Sequence, residues 1–329
     1  MRPIPLLPAL LGLLLAGTAQ AARAQDLCPD PDMAAQEGAL KAVHITRPAP
    51  DQSLQGTRSQ PARDGGTWFV SLWRRCPPDK SGADQDGLTL TLHHAAAGGG
   101  PATEVATGLL PDQVGGAPAD PPVLDQGKDT LVLADVWNGG NCAGCEHVAV
   151  LAVDGRSLTE IAPPRDVVVN NLDTGSGTEP MPPTLLGFDP RWTGFADLPT
   201  ALAPSSTIRL ELKDRIWVER CTAAREDYLG SAFEQAEMLD SLLAEPSEDG
   251  GAEAFSLALS IVLDELNAGQ PAKEVLAALD RRLTAQKADR RRWSAGFQHA
   301  AAQLRQALQN AAASGALDRG CPALGLPRP

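Results

Sequence analysis

Beyond residue 24 the chain holds no apolar run near the roughly eighteen residues that a membrane-spanning helix needs, so no such helix is expected there. Nor is there an excess of positive charge. Lys and Arg number 28 against 41 Asp and Glu, a formal charge of −13. The deficit is uneven, with 12 basic against 24 acidic residues over 25–212 and 14 against 17 over 213–329. Such a chain is not built for nonspecific adhesion to nucleic acid or to anionic membranes. Catalytic signatures are missing too. There is no Gly-x-Ser-x-Gly elbow, no Ser-x-x-Lys, no His-Glu-x-x-His and no phosphate-binding glycine loop. Their absence removes the usual support for an enzymatic reading without deciding the matter.

What is present begins with a leader-like segment. Arg2 gives a positive start, Leu6 to Ala16 is a short apolar run, and small-x-small patterns end at Ala21 and Ala24. Residues 1–24 therefore read as a signal peptide. Its removal takes away two arginines and no acid, moving the formal charge from −13 to −15. No cysteine sits at the cleavage site, so no lipid anchor is expected. The expectation is a soluble periplasmic or secreted protein with no membrane span after cleavage. All six cysteines lie in the mature part, which fits an oxidising compartment. Sequence alone cannot choose among their pairings. Grouping by segment suggests Cys142 with Cys145, Cys28 with Cys76, and Cys221 with Cys321.

About 300 mature residues are enough for two domains. Twenty of the 25 prolines past the leader precede residue 213, and the apolar period changes in the same region. The fold class expected is α+β. An antiparallel β-rich domain over 25–220, a meander or partial propeller with long Pro/Gly loops, precedes an α-helical domain over 221–329. Thr67 to Trp73 and Leu88 to His93 read as strands, whereas the pattern over 26–66 is weak. Residues 95–128, rich in Gly, Pro and Asp, read as a long loop or a partly disordered segment. Val167 to Val169, Thr184 to Phe188, Ile208 to Leu212 and Ile216 to Val218 read as further strands. Past Cys221 the period is helical. Leu229, Phe233, Ala236, Leu239 and Leu243 mark one helix face, and Phe255 to Leu266 suits a buried helix. Trp293, Phe297, Ala300, Leu304, Leu308 and Ala311 mark the last stripe, with Ser314-Gly315 as its stop.

The densest stretch is Thr130 to Ile161. Leu131 to Val136 alternates as a strand, Asn138-Gly139-Gly140-Asn141 turns, Cys142-Ala143-Gly144-Cys145 clips the turn, and His147 to Val153 returns. Asp154-Gly155 signals a hairpin into a third strand, Ser157 to Ile161. Exposed loop residues beside a rigid clip make Asp135, Trp137, Asn138 and Asn141 candidate binding residues.

A C-x-x-C pair can also be a redox site, or with His147 half of a divalent-metal site. A redox pair normally opens a helix, which lowers the thiol pKa, and no helical pattern follows here. Zinc wants four ligands, and only His147 is near. Glu146 stands where haem attachment needs histidine. A structural disulfide, with neither metal nor cofactor, is the expectation. Thiol-redox or metal handling by Cys142, Cys145 and His147 is the alternative. His93 and His94 should face opposite sides of a strand and so not share an ion, and histidines at strand ends are commonly exposed. Asp173-Thr174-Gly175 matches half of an aspartic-protease site, but that chemistry needs a second such carboxylate, and no other Asp-Thr-Gly or Asp-Ser-Gly occurs. Turn chemistry is the expectation, with a hydrolase built on Asp173 a further alternative. Arg281, Arg282, Lys287 and Arg290 to Arg292 form a basic cluster that could dock an anionic partner, or simply be a solvated helix face.

Leu131 to Gly155, Asp189-Pro190-Arg191-Trp192-Thr193-Gly194-Phe195 and Leu210 to Leu229 together resemble FG-GAP/VCBS-like exported bacterial proteins, whose strand–turn–strand units precede an amphipathic helical segment. The resemblance covers about half the mature chain and implies turns that carry calcium through closely spaced Asp and Asn. This sequence departs from that pattern. Trp137 follows Asp135 where a second acid is wanted, with only Asn138 and Asn141 nearby. The helical tail implies no activity. The combined expectation is a non-enzymatic, disulfide-stabilised exported protein that binds an unidentified protein or small molecule.

Overall fold

The computed structural model describes residues 33–75, 87–125, 129–140, 144–164, 167–173, 184–244, 251–284 and 295–327. The leader, Cys28, Cys76, Asn141, Cys142, Lys287, Arg290 to Arg292 and Trp293 lie outside them. The chain divides into two compact units between Ala117 and Pro118. That division is separate from the strand-to-helix change after residue 220. No helix among the described residues is long and apolar enough to cross a membrane.

The first unit opens with helix α1 (Met33–Ala42) and continues through β1 (Gln52–Pro61), β2 (Thr67–Arg75), β3 (Leu88–Ala95) and β4 (Thr103–Leu110). Each strand pairs antiparallel with the next. Leu40 and Ile45 close over Leu54, Trp73, Ala95 and Ala102 to form its core. The Trp73 indole N–H is not stranded there, because it donates to Thr91 Oγ1 at 3.0 Å. Two elements arise where the pattern is weak. α1 buries only Glu37 and Leu40, so its apolar stripe is thin, and β1 is an edge strand ending at Pro61.

The expected loop over 95–128 is overturned. β4 and β5 (Gly115–Asp125) occupy it. β4 buries only Ala106 and Leu110 fully, too few apolar positions to stand out. β5 contains Pro118, Pro121 and Pro122, yet it ends the strand order, where a missing N–H leaves no ladder bond unmade.

In the second unit the strand order β8–β7–β6–β5 includes β6 (Thr130–Trp137), β7 (Glu146–Asp154) and β8 (Ser157–Glu160). Asp154 pairs with Ser157, so Gly155 and Arg156 alone make the turn, with Gly155 at φ 62°. A second sheet runs β12–β11–β10–β9, from β9 (Val168–Asp173), β10 (Thr184–Phe188), β11 (Ile208–Lys213) and β12 (Ile216–Glu219). Asp214 and Arg215 join β11 to β12 with φ of 51° and 61°, the left-handed pair that a two-residue hairpin needs. Arg215 is held by Asp129 Oδ1 at 3.0 Å and the Val153 carbonyl at 2.9 Å.

Helices α2 (Arg225–Ala244), α3 (Ala252–Asn267), α4 (Ala272–Thr284) and α5 (Ala295–Ser314) complete this unit. α3 is buried nearly all round. Gly269, at φ 72°, stops the chain beyond it. α5 buries Ala300, Leu304, Leu308 and Ala311, and Phe297 stacks on Phe255 at 4.6 Å. Trp192 and Phe195, in 3-10 turns between β10 and β11, plug the same helical core. A second core joins Leu133, Val150, Leu185 and Leu210 of the sheets to Cys221, Tyr228 and Leu324. At its centre Cys221 and Cys321 are bonded, their Cα atoms 4.7 Å apart across a sequence separation of 100. Glu219 steadies the bridge by accepting from Arg319 Nε at 3.1 Å and the Cys321 amide at 3.1 Å.

The α2 stripe needs correction. Tyr228, Ala232 and Leu239 are buried, but Phe233 is 65 % exposed. α2 turns its small side, Ala232, onto Ala254, Ala258 and Ile261. Small residues at a helix contact permit close packing, and that choice rotates Phe233 outward.

Candidate functional site

The β6–β7 turn is built by antiparallel pairing of β6 with β7, Trp137 opposite Glu146. The Asn138 amide donates to the Cys145 carbonyl at 3.1 Å. The Asn138 side-chain oxygen accepts from the Gly140 amide at 3.0 Å, and the Trp137 indole donates to the Gly140 carbonyl at 2.7 Å. A Cβ on Gly140 would lie 2.5 Å from Cys145 Sγ, so the turn tolerates no larger residue there. Trp137 is 38 % exposed and Asp135 is exposed. Cys145 is disulfide-bonded. Thus the Trp137 indole N–H and the amide and side-chain oxygen of Asn138 are engaged within the turn itself. Cys142 and Asn141 fall outside the described residues. His147 is half-buried, with Nδ1 shielded and without a hydrogen-bond partner among the described residues. No group of three His, Cys, Asp or Glu among the described residues could hold a metal.

The other sequence candidates scatter. Asp173 ends β9 opposite Thr184, and its side chain and Thr174 to Gly177 lie outside the description. His93 is buried, contrary to an exposed strand end, because β3 runs through the core of the first unit. Burial pushes its pKa below the ordinary 6.5, against an opposing pull from Glu104. His94 is set against Trp68 at 4.5 Å, and its Nε2 lies 3.2 Å from Asp64 Oδ1.

A concave site appears instead between α2 and α4. Leu229, Phe233 and Ala236 of α2 face Val275 and Ala278 of α4 across a cavity of about 320 Å³. Glu265, at the end of α3, and Gln270 line it further, with Glu274, Arg281 and Arg282 of α4. Arg282 Nη2 donates to Glu265 Oε1 at 2.7 Å. Arg282 Nη1 and Glu265 Oε2 are shielded from solvent and have no hydrogen-bond partner among the described residues. Among the described lining residues, two acids and two arginines balance in formal charge. The sequence carried the signal for one wall, the Leu229–Phe233–Ala236 stripe, but a stripe does not say whether it is packed or left open.

Behind the cleft lies an internal polar knot. Asp264 is 2 % exposed. Its carboxylate accepts from Ser206 Oγ at 2.5 Å, Ser231 Oγ at 2.7 Å and Gln235 Nε2 at 2.9 Å. Asn267 donates to Ser206 Oγ at 2.9 Å and accepts from the Ala323 amide at 3.1 Å. No cation among the described residues bonds Asp264. Burial therefore raises its pKa above the ordinary 3.8, opposed by the three donors and helped by Glu265. The knot ties α2, α3, the segment before β11 and the C-terminal turn together, and fixes the α2 wall of the cleft. Sequence reasoning missed it because its members are spread from Ser206 to Ala323.

Comparison with protein-family models finds no match, and comparisons with curated proteins and with solved structures find none.

Proposed function

We propose that this chain is an exported, disulfide-stabilised, non-enzymatic binding protein whose ligand enters the α2–α4 cleft. One observation carries the reading: Phe233, 65 % exposed, lines an open cavity of about 320 Å³ together with Leu229 and Ala236 of α2 and the mixed polar and apolar face of α4. That volume is at the lower end of ligand pockets, and the exposed Phe233 offers a ligand an apolar contact beside it. Export is supported by the leader pattern and by the buried Cys221–Cys321 bridge, which suits an oxidising compartment. The pairing of β6 with β7 and of β7 with β8 supports an open-meander reading of this part of the sheet. The test uses 1-anilinonaphthalene-8-sulfonate as an apolar probe on the folded mature protein. Its fluorescence should rise on binding and fall several-fold in Phe233→Asp, with the unfolding temperature unchanged. Equal dye binding by the variant would remove the cleft as the site.

A second reading, thiol-redox or metal handling through Cys142, Cys145 and His147, draws on His147 Nδ1, which has no hydrogen-bond partner among the described residues. Non-reducing peptide mass spectrometry with metal analysis separates the two. The binding reading expects Cys145 fully oxidised, resistant to mild reductant, and no metal. A readily reduced pair or a stoichiometric metal would favour the second.

A further inference from the structure

We propose that Asn138 is a site of spontaneous covalent modification, cyclising onto Gly139 and reopening as isoaspartate, which loosens the turn that carries Cys145. The proposal does not depend on the α2–α4 cleft. Three observations converge at the β6–β7 turn. Asn138 is the one asparagine of the chain that glycine follows. Glycine has no Cβ to crowd its own backbone nitrogen, so Gly139 N has an open approach to the Asn138 side-chain carbon. Both residues are exposed, Gly139 takes φ 88°, and its amide has no hydrogen-bond partner among the described residues. The nucleophile is therefore free and wet. Finally, the Gly140 amide donates to Asn138 Oδ1 at 3.0 Å. That donor stands where negative charge builds on Oδ1 during attack, the place an oxyanion-hole donor occupies.

The chemistry needs only water. Gly139 N loses its proton and bonds to Asn138 Cγ, the Cγ–Nδ2 bond breaks, and ammonia leaves carrying that proton. Water then opens the cyclic imide. Opening at Cγ gives aspartate on an unchanged backbone. Opening at the backbone carbonyl carbon gives isoaspartate, in which the chain runs through Cβ and gains one carbon. The turn has no slack for that carbon. The Trp137 indole reaches across it to the Gly140 carbonyl at 2.7 Å, and the Asn138 amide is tied to the Cys145 carbonyl at 3.1 Å. Gly140 also packs so close to Cys145 Sγ that a Cβ would stand 2.5 Å away. The new carboxylate joins exposed Asp135 and Glu146, and like charges oppose the tight turn further.

The experiment incubates the full mature protein, warm, at mildly acid and at mildly alkaline pH, beside the peptide N-acetyl-Val-Trp-Asn-Gly-Gly-amide. Peptide mass spectrometry with electron-transfer fragmentation follows amide loss and the isoaspartyl bond. Asn138 should convert ahead of every other asparagine, mostly to isoaspartate, at a rate that rises with pH and approaches that of the peptide. The Cys145 disulfide of the aged protein should then yield to mild reductant several-fold faster than that of fresh protein. Gly139→Ala should slow the conversion several-fold. Asn138→Gln, whose longer side chain closes a ring far more slowly, should keep its bridge as resistant after incubation as before. An Asn138 that stays intact while the peptide converts overturns the proposal, as does equal conversion at other asparagines. Conversion that leaves the reduction rate unchanged overturns the link from Asn138 to the Cys145 turn.

Discussion

At the residue scale the chain also places unusual chemistry inside, away from the turn where the sequence concentrates it. Asp264 is the clearest case, a carboxylate with three neutral donors and no bonded cation among the described residues. Because burial raises its folded-state pKa above 3.8, the folded protein holds a proton at pH values where the unfolded chain has released it. Its stabilising contribution is therefore complete below the unfolded value and is lost as pH rises through the folded one. Asp264→Asn, neutral at every pH, should abolish that falling limb in urea unfolding measured stepwise from about pH 4 to pH 7. An unchanged slope in the variant would mean that another group carries the titration.

At the element scale, the orientation of α2 is the consequential feature. Ala232 is 5 % exposed against α3, while Phe233, one residue on, is 65 % exposed. Ala232→Leu should thus overpack the α2–α3 contact and cost about 1–3 kcal/mol in denaturant unfolding. Phe233→Asp should stay within about 0.5 kcal/mol of the parent. The opposite ranking would place Phe233 in the core after all. Edge strands teach a related lesson. β5 holds three prolines that argue against a strand, yet its position at the end of the order makes their missing N–H groups harmless.

At the scale of the whole chain, the Cys221–Cys321 bond closes a loop of 100 residues that spans α2 to α5. Chain entropy makes such a closure worth about 4–5 kcal/mol. Cys221→Ala with Cys321→Ala should lower the stability of the second unit by that order, read by calorimetry under non-reducing conditions. The transition of the first unit, which has its own core around Trp73, should stay where it is. A loss below about 1 kcal/mol would show that the bridge only restates packing already present.

Local residue order is enough for those elements whose side chains repeat at one clear period or whose turns need special backbone angles. The β7–β8 turn at Gly155, the β11–β12 hairpin at Asp214-Arg215, buried α3 and the α5 stripe are all written in local residue order. Local order suffices there because the period of alternation or of a helix turn is set by the backbone alone. Long-range packing sets the strands at β1, β4 and β5, the burial of His93, the face of α2 and the assembly of Asp264 with Ser206, Ser231 and Gln235. Each of these depends on what another segment offers: an unmatched backbone edge, a small residue to approach, or a hydroxyl some thirty to sixty positions away. The candidate cleft belongs with them, since two apolar stripes become a site only when packing holds them apart.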